Sequence, residues 1–295
     1  CLYCVSYTYF HVCLTIACYA EPTHTLEETS KNMAHDTSKP TIVITGNPAW
    51  REKISDALTE TYIVHQQAEF DGYMNTLIDS LAALIIVDGT DTNWHLWTTT
   101  PKVSPATRRI PLVLISADAD IRSDAPIKGA DFTLTPDEWL ANFQKYVADY
   151  ARIADPQRME QLDCECQEAL PELAQEGVRQ FNAGEYYAQH DAFEAQWVDT
   201  ETPVRDLYRA VLQVGVAYFQ IERANYRGAL KMLQRSVQWL VILPDTCQGI
   251  DVKQLREDSF RVRAELERLG EEGIKNFDKS LLKGVTYTPQ DASDS

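Results

Sequence analysis

The sequence predicts two folded parts of different class, an α/β domain over residues 41–152 and an all-helical bundle over residues 168–283. Between 41 and 152, short apolar runs alternate with segments of helical periodicity. That alternation is typical of a parallel sheet covered by helices on both faces. After Pro171 the strand patterns cease, and apolar residues recur only at spacings of three and four. A chain of 295 residues is long enough for both cores.

Short apolar runs predict five strands in the first domain. They lie at 41–45, 62–64, 83–87, 111–115 and, more briefly, 132–134. Helical spacing predicts helices near 50–58, 73–81 and 139–150. Ligands of such sheets bind beyond the carboxyl ends of the strands, which places a site near Gly46, Asp88 and Ser116.

Three features of this domain resemble a response-regulator receiver domain, which has a flavodoxin-like α/β fold. Asp88 follows a buried strand where that family has its phospho-accepting aspartate, and Ser116 occupies the place of the family's hydroxyl residue. Residues 129–131, Gly-Ala-Asp, resemble a familiar turn of the family. The resemblance implies a receiver-like domain with a site at Asp88 and Ser116.

Two departures from the receiver pattern predict that this site is degenerate. The acidic pair that holds Mg²⁺ after the first strand is replaced by Thr45-Gly46-Asn47. Without paired carboxylates, a hard dication lacks charged oxygen ligands. The lysine expected before the late proline is also missing, because Thr135 precedes Pro136. We expect no phosphorylation at Asp88.

The segments outside the two domains are predicted to be unfolded or connecting. Residues 1–40 read as an unstructured or non-native leader with the true start at Met33, and an unusual export signal is the alternative. The polar stretch 153–167 is predicted to be the linker. Residues 284–295 are predicted to be a disordered tail.

Five helices are predicted in the second part. The first ends near Gly184, the second spans 185–198 and the fourth spans 226–241. Thr202 before Pro203 predicts the N-cap of the third helix, which runs to about residue 223. Asp251 and Gln254 predict a capping box at the start of the fifth.

Polar residues on the predicted second helix are the main functional candidates. Tyr186, His190, Glu194 and Trp197 fall at i, i+4, i+8 and i+11 and therefore share one face. Apolar periodicity predicts that this face points inward, where charge is costly unless it is paired or bound. The candidate partners, on the third helix and just after it, are Arg209, Gln213, Gln220 and Asn225.

Five motifs in order resemble the small helical family named domain of unknown function 309, labelled in places a predicted metal-dependent hydrolase. They are 181–187, the His190–Glu194–Trp197 spacing, 212–213, 225–230 and 249–251. The resemblance implies that His190 and Glu194 are catalytic or metal-binding residues, with a divalent metal as cofactor. Family members often have a further histidine near Gln220, which this chain lacks.

A second interpretation makes His190 and Glu194 a structural pair in a non-catalytic interaction or regulatory module. The stretches after Gly184 and Asn225 resemble the start of helical repeats that bind peptides, but Tyr186 and Tyr226 are 40 residues apart. That offset does not fit the period of about 34 residues. A repeat array is therefore not expected, but binding of a protein partner or formation of a homo-oligomer remains an alternative. The net charge of −17 argues against nucleic acid and anionic membrane as partners.

Cysteine usage predicts a reducing compartment, the cytoplasm. Cys164, Cys166 and Cys247 show neither the spacing of a disulfide framework nor that of a zinc ribbon. We interpret Cys164 and Cys166 as features of a solvated linker and assign no role to Cys247.

Overall fold

A parallel sheet followed by a group of helices forms residues 39–289, which are the residues that the computed structural model describes. The predicted fold class is confirmed. Predictions for residues 1–38 and 290–295 lie outside the described residues. In the described part of the chain, no helix has both the length and the apolar composition that a membrane crossing requires.

Five parallel strands form the sheet in the order β2-β1-β3-β4-β5. Their bounds are β1 Thr41–Thr45, β2 Ile63–Gln67, β3 Leu84–Asp88, β4 Leu112–Ile115 and β5 Phe132–Leu134. Strands β1, β3 and β4 are buried along their whole length, as their continuous apolar runs predict. This strand order is that of flavodoxin-like sheets, in which ligands bind where the order reverses.

Helices cover both faces of the sheet. They are α1 Arg51–Thr59, α2 Tyr73–Asp79, α3 Trp94–Val103, α4 Ala119–Asp124 and α5 Pro136–Tyr150. One buried cluster joins α1 and α5 to the sheet through Trp50 and Trp139, and the other joins α2 and α3 through Tyr73 and Trp97. The sequence did not predict α3, because consecutive threonines and Pro101 give it low helix propensity.

The predicted linker at 153–167 is largely helical, which corrects that prediction. Helix α6, Pro156–Glu165, begins at Asp155, whose side chain accepts a hydrogen bond from the backbone N–H of Gln157. Leu162 and Cys166 are buried in the core of the helical part. The segment looked like a linker because its other side chains are mostly polar and exposed.

The helical part continues with α7 Glu172–Asn182, α8 Tyr186–Asp199, α9 Arg205–Glu222, α10 Tyr226–Leu240 and α11 Val252–Gly273. Helix α9 is the most deeply buried of these, and α8 and α10 both pack on it. The predicted N-cap at Thr202 is wrong, since α9 begins two residues beyond Pro203 after a turn. Asp251 caps α11 through the backbone N–H of Gln254, but the predicted capping box is not complete, because the Gln254 side chain donates to Asp258 instead.

A disulfide joins Cys166, at the end of α6, to Cys247 in a short hairpin of β6 (Thr246–Cys247) and β7 (Ile250–Asp251). The predictions of a solvated Cys166 and a Cys247 without a role are therefore wrong. Their spacing of 81 residues carried no signal, because the fold alone brings the two positions together. The disulfide also counts against a reducing compartment.

The C-terminal segment is folded as far as it is described, which corrects the predicted tail in part. Val285 is buried, and Tyr287 forms a bridge to Ile250 of β7. The side chain of Asn182 holds this segment by accepting from the N–H of Val285 and donating to its carbonyl. Residues 290–295 lie outside the described range.

Polar contacts connect the α/β part to the helical part. Arg263 of α11 donates from both terminal nitrogens to the carboxylate of Asp79 at the end of α2, at 2.7 and 2.6 Å. The side-chain amide of Gln238 in α10 donates to the carbonyl of Ala106, at 2.6 Å. Arg263 is buried, whereas the side chain of Asp79 is 31% exposed, so the pair is only partly shielded from solvent.

Candidate functional site

Helix α8 is positioned by the turn at Gly184 and by aromatic contacts that follow it. Gly184 has a φ of 78°, a left-handed conformation that terminates α7 with little strain in glycine. Tyr186 then packs edge-on against Phe181 and Tyr218, with ring centroids 5.5 and 5.7 Å away. These contacts fix the rotation of α8 about its own axis.

The inward face of α8 consists of Tyr186, Gln189, Phe193 and the partly buried Trp197. Gln189 is completely buried and donates to the carbonyls of Tyr186 and, more weakly, Leu212. It packs so closely on Gly215 of α9 that a Cβ there would lie 2.3 Å from its amide nitrogen. No side chain larger than hydrogen fits at Gly215 without displacing Gln189.

His190 lies at the edge of this face and Glu194 lies outside it, which corrects the prediction that both are buried. The His190 side chain is 34% exposed, and its Nδ1 lies 3.1 Å from a carboxylate oxygen of Asp191. Glu194 is exposed on an open groove of about 580 Å³ that Asp191 and Val198 also line. The physical reason is rotation: at about 100° per residue, Glu194 is turned well away from the line through Gln189 and Phe193.

The predicted network of His190 and Glu194 with two glutamines does not form. Gln213 is buried, but its side-chain oxygen has no hydrogen-bond partner within residues 39–289. Gln220 instead accepts from the side-chain amide of Asn225 at 2.7 Å, and Asn225 caps α10 through the N–H of Gly228. These last two residues therefore build the turn between α9 and α10.

Two members of the predicted network, Arg209 and Trp197, do meet. The guanidinium carbon of Arg209 lies 5.0 Å from the ring centroid of Trp197 and 4.1 Å from that of Trp239. Burial, followed by the charge of Arg235, lowers the pKa of Arg209. Trp239 is not among the residues predicted from the sequence, because its position one residue before the inward Leu240 places it at the edge of the buried face of α10.

Several buried polar atoms behind α8 have no hydrogen-bond partner in the described part of the chain. They include the side-chain oxygens of Gln189 and Gln213 and the hydroxyl of Tyr218. Burial raises the pKa of Tyr218, so the hydroxyl stays protonated as a donor. Gln189 is not among the residues predicted from the sequence, although it lies three residues after Tyr186 and four before Phe193, on the apolar stripe.

The donor set around His190 does not fit a catalytic metal centre. Such centres in zinc enzymes usually provide three protein ligands. Nowhere in residues 39–289 do three His, Cys, Asp or Glu side chains come close enough together to hold a metal ion. His190 has Asp191 beside it, and Glu194 points away into the groove.

Asp88 and Ser116 lie at the carboxyl ends of β3 and β4, as the sequence predicts, and both are buried. One carboxylate oxygen of Asp88 accepts from the backbone N–H and the hydroxyl of Thr90, at 2.9 and 2.7 Å. The hydroxyl of Ser116 accepts from the N–H of Asp118. Thr135, at the position of the missing lysine, forms a capping box for α5 with Glu138.

Comparison with known proteins identifies one segment of the helical part. A search of curated proteins finds no match. The model of the family described as Domain of unknown function (DUF309) matches residues 174–232, from α7 through the first half of α10. This segment contains His190, Glu194, Trp197 and Arg209. The chain therefore contains a DUF309 domain.

Proposed function

We propose that this protein is a non-catalytic binding or regulatory module in which a DUF309 domain is joined to a degenerate receiver-like domain. The proposed domain limits are 41–152 and 168–283, with α6 packed on the second domain. A metal-dependent hydrolase acting through His190 and Glu194 is the competing function.

One observation carries this proposal: Glu194 lies on the solvent side of α8, turned away from the buried polar groups behind the helix. A hydrolytic metal centre needs converging ligands and a position held open for water or substrate. Here only His190 and Asp191 approach each other, at the surface. The polar residue that α8 places inside the bundle is Gln189, an amide that is a poor general base and a weak metal ligand.

The receiver-like part supports the same proposal. Asp88 is buried beneath the loop after β3 and is already hydrogen-bonded to Thr90. Its neighbours after β1, Thr45 to Asn47, supply no carboxylate for Mg²⁺. A receiver-like domain of this kind would act as a fixed partner of the helical part rather than as a phosphorylation switch.

The cellular location belongs to the proposal as well. Low use of spaced cysteine pairs favours the cytoplasm, whereas the Cys166–Cys247 disulfide favours an oxidising compartment. We retain the cytoplasm as the proposal to be tested, by measuring the oxidation state of these two cysteines in protein that is trapped with an alkylating agent at cell lysis.

Elemental analysis of the purified full-length protein tests the proposed function. We expect no stoichiometric metal, and no change in the unfolding midpoint when a chelator is added. A His190→Ala variant serves as the matched control, because any metal held at the predicted site must be lost with it. One equivalent of metal that His190→Ala removes, together with destabilisation by chelation, contradicts the proposal and restores the hydrolase.

A further inference from the structure

Three other arginines act on the charge of Arg209, near a contact between the helical part and the α/β part. We call Arg109, Arg205, Arg209 and Arg235 the arginine cluster. Arg205 and Arg209 lie on α9, Arg235 lies on α10, and Arg109 follows the turn after α3. That turn adjoins α10 because the side chain of Gln238 donates to the carbonyl of Ala106. The arginine cluster therefore contains residues from both the α/β part and the helical part.

Two indole rings hold the centre of the cluster. Arg209 lies between Trp197 and Trp239, with its guanidinium carbon 5.0 and 4.1 Å from the two ring centroids. Arg205 contacts the same Trp197 ring at 5.4 Å. Stacking on aromatic faces fixes the plane of a guanidinium and leaves its N–H edges available for hydrogen bonds. The geometry therefore presents oriented donors.

The positive charge of the cluster is not balanced by any ion pair in the described part of the chain. None of its four guanidinium groups forms an ion pair or a side-chain hydrogen bond there. The carboxylate of Asp206 raises the pKa of Arg209, but it is already paired with Arg158 at 2.8 Å. In a chain with a net charge of −17, four arginines near a single carboxylate that is already paired are an exception and favour binding of an anion.

Mutual repulsion makes the arginine cluster costly. Arg205 and Arg209 are four residues apart on one helix, an arrangement that is destabilising for like charges. Arg235, Arg205 and Arg109 each lower the pKa of Arg209, in addition to the larger effect of burial. A bound anion would reverse the sign of the field at Arg209 and so would stabilise the charged guanidinium.

Unused hydrogen-bond donors accompany the charge. The indole N–H groups of Trp197 and Trp239 are buried and have no acceptor within residues 39–289. A guanidinium group offers five donors in a planar fork that matches phosphate oxygens. The arginine cluster and its two tryptophans thus combine unbalanced positive charge with unpaired hydrogen-bond donors. A ligand with negative charge and several oxygen acceptors would satisfy both.

We propose that the arginine cluster is a binding site for a small anion with two linked phosphates, either inorganic pyrophosphate or the diphosphate of a larger molecule. A diphosphate carries more charge and more oxygen acceptors than a single sulfate or chloride, and so it matches several arginines better. The site is separate from the exposed face of His190 and Glu194. The proposed anion site can therefore be disproved or supported independently of the proposed function.

Isothermal titration calorimetry of the full-length protein with inorganic pyrophosphate tests the inference. We expect binding at one site per chain, with orthophosphate much weaker. Arg209→Gln and Arg235→Gln should each weaken pyrophosphate binding by about tenfold or more, because each removes a charged hydrogen bond. A parallel titration with ADP distinguishes the sources: binding tighter than that of pyrophosphate indicates a diphosphate attached to a larger molecule.

Two further variants keep the test sharp. Arg109 is exposed, so Arg109→Gln leaves the core intact and should weaken pyrophosphate binding by about threefold even if Arg209→Gln fails to fold. Arg268→Gln removes the same charge from an exposed pair with Glu265 outside the cluster and should leave binding unchanged. No binding of pyrophosphate at millimolar concentration, or equal weakening by Arg268→Gln and Arg109→Gln, overturns the proposal.

Discussion

Gln189 shows how one residue decides what a helix face can do. It lies on the central line of the buried face of α8, while its neighbour His190 lies at the edge. The side-chain amide of Gln189 packs directly on Gly215 of α9, because glycine has no Cβ to occupy that space. Chemistry that requires an imidazole or a carboxylate inside the bundle is therefore not available from α8.

Asp88 is the second residue whose surroundings limit its chemistry. Incubation of the protein with acetyl phosphate and Mg²⁺ should give no phosphoryl adduct at this position. The carboxylate is buried and hydrogen-bonded to Thr90, and no acidic pair follows β1 to hold the metal. Intact-mass spectrometry under conditions that preserve acyl phosphates is the measurement. A labile adduct that Asp88→Asn abolishes would show the prediction to be wrong.

At the scale of elements, the hairpin of β6 and β7 ties α6 to the bundle. Besides the disulfide, the N–H of Gln248 donates to the carbonyl of Cys166 at 2.7 Å. The buried hydroxyl of Tyr208 on α9 donates to the side chain of Gln248 at 2.8 Å. Burial raises the pKa of that hydroxyl to about 12, so the bond persists at any physiological pH. The covalent link therefore reinforces a polar contact.

Loss of the disulfide should destabilise the protein. Cys247→Ala is expected to lower the free energy of unfolding by about 2–4 kcal/mol, because the bond closes a long loop in the unfolded chain. Urea unfolding of wild type and variant, each with and without dithiothreitol, is the measurement. Reductant should destabilise the wild type and leave Cys247→Ala unchanged. A wild type that is indifferent to reductant would count against a stabilising disulfide.

At the scale of the whole molecule, Arg263 and Asp79 connect the two parts. The pair is bidentate, and Arg263 also lies over the ring of Phe260, with its guanidinium carbon 5.1 Å from the ring centroid. Because Asp79 keeps some solvent exposure, the pair is weaker than a fully buried one. A double-mutant cycle between Arg263→Ala and Asp79→Ala should give a coupling energy of about 1–3 kcal/mol.

The matched control for that cycle is Arg268→Ala, which removes an arginine from an exposed pair on the same helix. Its cost should stay within about 0.5 kcal/mol. Urea unfolding measures both. A coupling energy near zero would mean that the Arg263–Asp79 pair adds nothing to the free energy of unfolding.

Features that depend on local sequence patterns could be predicted, and features that depend on contacts distant in sequence could not. The strands were predictable because buried parallel strands such as β3 are continuous apolar runs. Helix α8 was predictable from Gly184 and its apolar spacing, but its rotation was not. A shift of one residue, from Gln189 to His190, exchanges a buried amide for a surface imidazole. The disulfide and the arginine cluster depend on contacts distant in sequence, which local patterns do not encode.

The orientation of α8 is the central claim, and two alanine substitutions in the full-length protein test it most directly. Glu194→Ala should change the free energy of unfolding by no more than about 0.5 kcal/mol, because the side chain is exposed. Gln189→Ala should cost about 2–4 kcal/mol, because it leaves a cavity against Gly215. Urea unfolding of both variants is the measurement. A Glu194→Ala variant that costs as much as Gln189→Ala would contradict the account and place the acidic residue inside the bundle.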